Sequence, residues 1–364
     1  MKRDLIYVPI EPLEERYTAQ WYKHFPVAFA EHFNVIVIDG EPLQETVKVG
    51  TFLDINSTIH YKATQLRKIA ALFDAGKIAD GTRFFFGDIE FWGIESIRLM
   101  ADMNRVNIKL TGFLHAASYT KGDAFEIAAP YQRYTEVGWI AAFDTVFVGS
   151  AYHRGAVVER RLVPLGADHL QDRLVVAGNP MFEADYPAYS VNKKQQVVLT
   201  NRFDAEKHPD RTLALFAAAK AMHPDWTFVV TTGRKTFTSN DPKLVKVARY
   251  MEAEGIIEIR AGLTKDEYHR ILAESLVMVS HSPEENFGYC IAEAALYDCQ
   301  PLLLNCASHP DMVAPLDQPD AHLFTHSAHA LAQLEYLMAN PRSTKAAATR
   351  FFSEPIETFI KAML

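Results

Sequence analysis

Short runs of apolar, β-branched or aromatic residues alternate with longer stretches of helical period along the whole chain. This is the pattern of parallel strands covered on both faces by helices. In the first half it predicts strands at Leu5–Pro9, Asn34–Asp39, Phe52–Ile55, Arg83–Gly87, Ile108–Leu114, Thr145–Gly149 and Leu174–Ala177. A long helix over Ser57–Ala75 is expected, capped by Asn56 or Ser57. The second half repeats the rhythm, with strands at Gln196–Thr200, Thr227–Thr231, Ile256–Arg260, Val277–Ser280 and Leu302–Asn305. Helices are expected near 209–222, 242–254, 265–274, 287–298 and 328–339.

Between the halves, Gly178-Asn179-Pro180 breaks a strand and leads into a polar stretch without helical period. The expected division is therefore 1–180, 181–342 and a helical tail, 343–364, interrupted at Pro355 and packing back on the first domain. The fold class is α/β, two facing Rossmann-like domains with an interdomain cleft. Ligands of open α/β sheets sit beyond the carboxyl ends of the strands, so the cleft is the place to seek chemistry.

Composition narrows the function. The 364 residues are 49% hydrophobic and carry a net charge of −8, with neither half a basic block, which disfavours a nucleic-acid footprint driven by bulk charge. Cys290, Cys299 and Cys306 are an odd number without C-x-x-C spacing, as in a reduced, cytoplasmic protein. The opening MKRDLIYVPIEP reads as a first strand and not a signal peptide, and no run is apolar and long enough for a transmembrane segment.

Two segments carry candidate chemistry. In Ser280–Leu296, a buried strand is followed by Glu285 in a loop and, after seven intervening residues, by Glu293 within the next helix. Two carboxylates thus bracket a helix N-terminus near Phe287 and Gly288, which suits a ligand with both phosphate and sugar hydroxyls. As an isolated pattern this is equally a helix-dipole glutamate and a solvated one. Glu293, however, lies in the small and apolar stretch Ile291–Leu296. In Leu199–Arg211, Arg202 and Lys207 emerge at a strand's carboxyl end, placed to meet a diphosphate leaving group or, in the plainer alternative, to pair with Glu206.

With N-R-F-D-A-E-K-H-P-D at 201–210, Thr232-Gly233-Arg234-Lys235 at a strand end and S-P-E-E-N-F-G-Y-C-I-A-E at 282–293, the second half resembles retaining GT-B glycosyltransferases that carry an E-x7-E signature, among them mannosyl- and glucosyltransferases. The resemblance implies Arg202 and Lys207 on the donor diphosphate, Glu285 on the transferred sugar and Glu293 on the nucleotide ribose. It also implies the backbone of Asn286, Phe287 and Gly288, with Gly233, near sugar and phosphates. The donor would be a UDP- or GDP-sugar, and no metal or other cofactor would be required. In the first half, His115 in Gly112–Ser118 matches the histidine such enzymes carry near a central strand end, or is a satisfied buried histidine. The turn Pro9–Tyr17 lacks their Gly-Gly.

Other signals are weaker. Asp88 and Glu90 follow a buried strand and are acceptor-side candidates, Asp88 being equally a helix cap. Segment 98–161 interleaves aromatic and basic residues, among them Tyr119, Arg133, Arg154, Arg160 and Arg161. Core tyrosines and a solvated helix face account for it; a groove presenting a hydroxymethylated base of modified phage DNA is the sharper alternative. His322, His326 and His329 have spacings that could suit a metal, but Ser327 looks like a helix cap and only Asp320 offers a nearby carboxylate, so no metal is expected. The expected activity is transfer of a sugar from a nucleotide-sugar to a hydroxyl acceptor, either modified DNA, a surface glycan or a small molecule. A nucleotide-sugar epimerase is the main alternative.

Overall fold

In the first strand, β1 (Arg3–Val8), Leu5 to Val8 are at most 2% exposed, although their side chains alternate between two faces. Both faces are therefore covered, as in a parallel sheet. A computed structural model of the chain describes residues 2–13, 16–43, 54–121, 125–232 and 234–364. It divides into two compact units, Met1–Phe182 with Ser353–Leu364, and Glu183–Phe352.

In the first unit β2 (Phe33–Val37), β3 (Arg83–Phe86), β4 (Lys109–Leu114), β5 (Thr145–Val148) and β6 (Leu174–Val176) join β1 in an all-parallel sheet of order β2-β1-β3-β4-β5-β6. The helices are α1 (Tyr17–Ala30), α2 (Ile55–Asp74), α3 (Ile94–Asn104), α4 (Ala129–Ala142) and α5 (Ala151–Val157). Strand alternation sorts the core into two layers. Ile6, Val8, Phe84, Phe86, Leu110, Val146 and Val148 belong to the layer that includes Ile69, Ile97 and Trp139 of α2, α3 and α4. Leu5, Tyr7, Phe85, Phe113 and Phe147 pack with Trp21, Phe25 and Phe29 of α1 and with Phe359 and Met363.

In the second unit β7 (Gln196–Leu199), β8 (Thr227–Thr231), β9 (Glu258–Arg260), β10 (Val277–Ser280), β11 (Gln300–Leu304) and β12 (Leu323–Phe324) form another parallel sheet, of order β12-β11-β10-β7-β8-β9. Its helices are α6 (Pro209–Met222), α7 (Pro242–Ala253), α8 (Lys265–Glu274), α9 (Tyr289–Leu296), α10 (His309–Val313) and α11 (Ser327–Ala339). From β7 the chain moves to β8 and β9 on one side and to β10, β11 and β12 on the other. The loops after β7 and β10 thus diverge from adjacent strand ends, leaving a crevice.

The two parallel α/β sheets agree with the periodicity, and several local expectations change. Phe52 and Leu53 of the expected strand lie outside the described residues, Asp54 precedes the helix and Ile55 begins it. The cap of α2 is Asp54, whose carboxylate accepts from the amides of Asn56 at 3.1 Å and Ser57 at 3.3 Å; a carboxylate is a stronger acceptor there than the side chains of Asn56 or Ser57 that follow it. The tail is one helix, α12 (Lys345–Met363), running through Pro355. Helix α9 starts at Tyr289, two residues later than expected, because Gly288 sits at φ 92°. A Cβ at Gly288 would also meet Ile291 Cδ1 at 2.8 Å, so both backbone angle and space call for glycine.

Candidate functional site

The β7/β10 crevice holds the most informative contacts. Lys207, in a short turn after β7, donates from Nζ to Glu285 Oε1 at 2.6 Å, to the Glu284 carbonyl at 3.1 Å and to Ser282 Oγ at 3.2 Å. Both charged side chains are largely buried, 14% and 16% exposed. Burial pushes the Glu285 carboxyl up, but the charge and hydrogen bond of the Lys207 ammonium, with smaller help from Ser282 and His309, together bring the net direction down. Glu285 is therefore ionised at neutral pH.

Glu293 lies on the second turn of α9, where Tyr268 of α8 donates its hydroxyl to Oε2 at 3.1 Å. His269, also on α8, has Nε2 3.9 Å from the other carboxylate oxygen. The Cys290 thiol, at the start of α9, is pushed up to about 12 by burial first and then by the charges of Glu285 and Glu293. The same thiol reaches Asn201 Oδ1 at 3.9 Å. Lys207 and Glu285 thus meet at the β7/β10 strand ends, and Glu293 follows in the second turn of α9.

Arg202 takes the plainer of its two expected partners: its guanidinium is 3.3 Å from Glu206 and 42% exposed. Phe287 is buried against Tyr289 and Phe352, so its side chain builds the core and only its backbone faces neighbouring loops. Asn286 lies in the same loop, and Gly233 is outside the described residues. Beside it Arg234 makes a bidentate pair with buried Asp204, at 3.0 and 2.7 Å, which ties the loops after β7 and β8 together.

In the first unit, the sheet order turns between β1 and β3, and here Lys62 of α2, only 4% exposed, meets Asp88 Oδ2 and the Glu90 carbonyl, both at 2.6 Å. The other Asp88 oxygen accepts from the Glu90 amide at 3.0 Å. Burial raises the Asp88 carboxyl, and the charge of Lys62 together with the hydrogen bonds from Lys62 and the Glu90 amide gives a net lowering. His115 donates from Nε2 to the Gly87 carbonyl at 2.8 Å, leaving Nδ1 to accept from the Tyr17 hydroxyl at 3.1 Å. Burial, against the pull of Asp88, lowers its pKa, so the ring is neutral and internally bonded.

The aromatic and basic interleaving of 98–161 does not form one exposed face. Tyr119 is 7% exposed and its hydroxyl lies 2.7 Å from His153 Nε2; burial pulls His153 down to about 3. Arg161 is buried against Glu136 and Ser118, and Arg154 donates to main-chain carbonyls of α5's surroundings. These side chains hold loops together, and Tyr119, an acceptor-side candidate, lies among them. Arg133 is exposed and stacks on Tyr134, at 4.8 Å. The late histidines are structural: His322 donates to the Pro301 carbonyl and His326 caps α11. Among the described residues no group of three or more His, Cys, Asp or Glu is placed to hold a metal ion, and no helix is long and apolar enough to cross a membrane.

No family model matches the chain, and no curated protein matches it in sequence. Solved structures do match in shape. The catalytic domain of starch synthase IV from Arabidopsis thaliana, bound to ADP and acarbose, superposes with a TM-score of 0.63 at 10% identity, over 100% of this chain and 98% of that one. Sucrose-phosphate synthase from Thermosynechococcus elongatus gives 0.60 at 13% identity, over 100% and 96%. The pneumococcal O-GlcNAc transferase GtfA, in complex with UDP and GlcNAc, gives 0.55 at 14% identity, over 84% of this chain. This chain spans 60% of the length of GtfA. The chain has the GT-B fold.

Within this GT-B fold, sequence reasoning passed over Lys62, Tyr268 and the Asp204–Arg234 pair. The signal for Lys62 was present: with Gln65, Ile69 and Phe73 it keeps helical spacing, which puts a lysine on an otherwise buried stripe. Tyr268 had no such signal, because a tyrosine on an amphipathic helix is ordinary.

Proposed function

We propose that the chain is a glycosyltransferase that moves a sugar from a nucleotide-sugar donor to a hydroxyl acceptor, with retention at the anomeric carbon. The Lys207–Glu285 contact carries the reading: a cation and a carboxylate, both partly withdrawn from water, at the strand ends where a GT-B sheet changes direction. As the bond from anomeric carbon to diphosphate stretches, Lys207 turns from Glu285 toward the growing negative charge, with Arg202 and the N-terminus of α9 contributing. Glu285, freed of its cation, takes hydroxyls of the transferred sugar, and Glu293 takes those of the ribose. A UDP-sugar is the first donor to test, since GtfA, similar in fold, was solved with UDP.

The test is a thermal-shift screen of UDP-, GDP- and ADP-sugars, followed by mass spectrometry of products. The acceptor arms are hydroxymethylated duplex DNA, glycans and small alcohols, with a donor-only arm that reads epimerisation. Stabilisation by one donor class and a mass gain of one sugar on an acceptor are expected. No stabilisation by any nucleotide-sugar, or an epimerised donor with no acceptor consumed, overturns the assignment.

A second expectation follows from Tyr268. Tyr268→Phe removes one hydrogen bond to the Glu293 carboxyl group, a contribution of about 1.5–3 kcal/mol. The donor KM should rise roughly tenfold or more while kcat holds. In a Glu293→Ala background the same change should have no effect, and an undiminished effect there would show that Tyr268 does not act through Glu293.

A further inference from the structure

The loop after β11 is bonded to the loop that bears Glu285. Ser308, 0% exposed, donates its amide to the Glu285 carbonyl and its hydroxyl to the Phe287 carbonyl, both at 3.2 Å. Two residues earlier, the Cys306 thiol lies 3.6 Å from the Ser282 carbonyl and 3.7 Å from that of Pro283. The loop is itself anchored: His309 donates from Nδ1 to the Leu304 carbonyl at 2.7 Å, and Ala307 adopts φ 51°, the left-handed turn that brings Ser308 under Phe287. Sequence reading gave this segment no role.

We propose that Ser308 is a positioning residue that fixes the main chain of Glu285 to Phe287 while a donor is bound; the inference rests on the transferase reading above. The reason lies in how else that loop is held. Lys207 supplies bonds to Ser282 Oγ, to the Glu284 carbonyl and to Glu285 itself. Each of these weakens if Lys207 turns to a diphosphate. The Ser308 bonds do not involve Lys207, so they persist through that exchange and keep Glu285 aimed. Glu293 stands on α9 with Tyr268 as its partner and does not depend on them. Ser308 therefore governs the turnover of bound donor and leaves the ribose grip alone.

Ser308→Ala deletes the hydroxyl but keeps the amide bond, and Ser308→Cys restores a weaker donor of similar size. For Ser308→Ala, kcat should fall about thirtyfold, the scale of a small misplacement of a catalytic group, with donor KM within about threefold. Ser308→Cys should recover part of kcat, and both melting temperatures are recorded alongside. Glu285→Gln is the reference. If Glu285→Gln abolishes transfer while Ser308→Ala keeps kcat within twofold, the positioning role is wrong and the transferase reading stands. A fall in kcat matched by an equal rise in KM, with no recovery in Ser308→Cys, also overturns it, because general loosening would act that way. If neither variant affects transfer, the reading of the site fails with it.

Discussion

Lys207→Ala is expected to reduce transfer by about 10²–10³-fold, the usual cost of removing one preorganised group from developing negative charge. The same substitution should alter stability in a way that marks the pair. Glu285 has a folded pKa below its ordinary value, so its pairing adds stability that is fully present above the unfolded value, about 4.3, and is lost as pH falls through the lower folded value. Without Lys207, burial is the largest remaining influence and raises the carboxyl instead. The variant should then be less stable by about 3 kcal/mol at pH 7, at the low end for a broken buried pair because both side chains keep some exposure. Its stability should rise on acidification toward pH 4, opposite in slope to the parent. Lys207→Ala/Glu285→Gln should recover stability at pH 7 and remain inactive. Denaturant titrations at several pH values check this; parallel slopes in parent and single variant would mean that the two groups are not coupled.

Legibility in the sequence followed burial. The strands of both sheets are apolar on two faces, so they stand out as continuous runs, and β8 and β10 begin and end where the pattern places them. Helix ends were less legible because caps compete locally: Asp54, Asn56 and Ser57 all favour an N-terminus, and only the backbone decides which carboxylate or hydroxyl reaches two free amides. The candidate site was legible where residues sit close in sequence to a strand end, as Lys207 and Glu285 do. Its supports were not. Ser308 and Tyr268 reach the site from loops and helices 15 or more residues away, through single hydrogen bonds that no periodicity records. The surroundings of Tyr119 were illegible for the converse reason: aromatic residues near arginines look alike whether they face solvent or, as here, a buried histidine.

In the first unit, Lys62→Met is expected to be strongly destabilising. The substitution keeps volume and removes the ammonium, leaving the Asp88 carboxylate, 14% exposed, with only the Glu90 amide and more distant charge to stabilise it. Breaking such a pair costs about 3–5 kcal/mol, and for a unit of this size each kcal/mol lowers the melting temperature by roughly 2–4 °C, so a loss near 10 °C should be seen by calorimetry. The pH dependence again has a definite sign. The folded Asp88 carboxyl lies below its ordinary value, so its contribution is present above about 3.9 and disappears on acidification, and the deficit of Lys62→Met should shrink below that pH. Lys62→Met/Asp88→Leu removes both charges and should regain most of the stability, since an apolar pair of similar volume replaces a buried ion pair at little cost. That double variant also separates two roles of Asp88. Both of its oxygens already have internal partners, so the stable double variant should retain transfer if the pair is a strut between α2 and the β3 loop. A stable double variant that had lost transfer would instead place Asp88 against the acceptor hydroxyl.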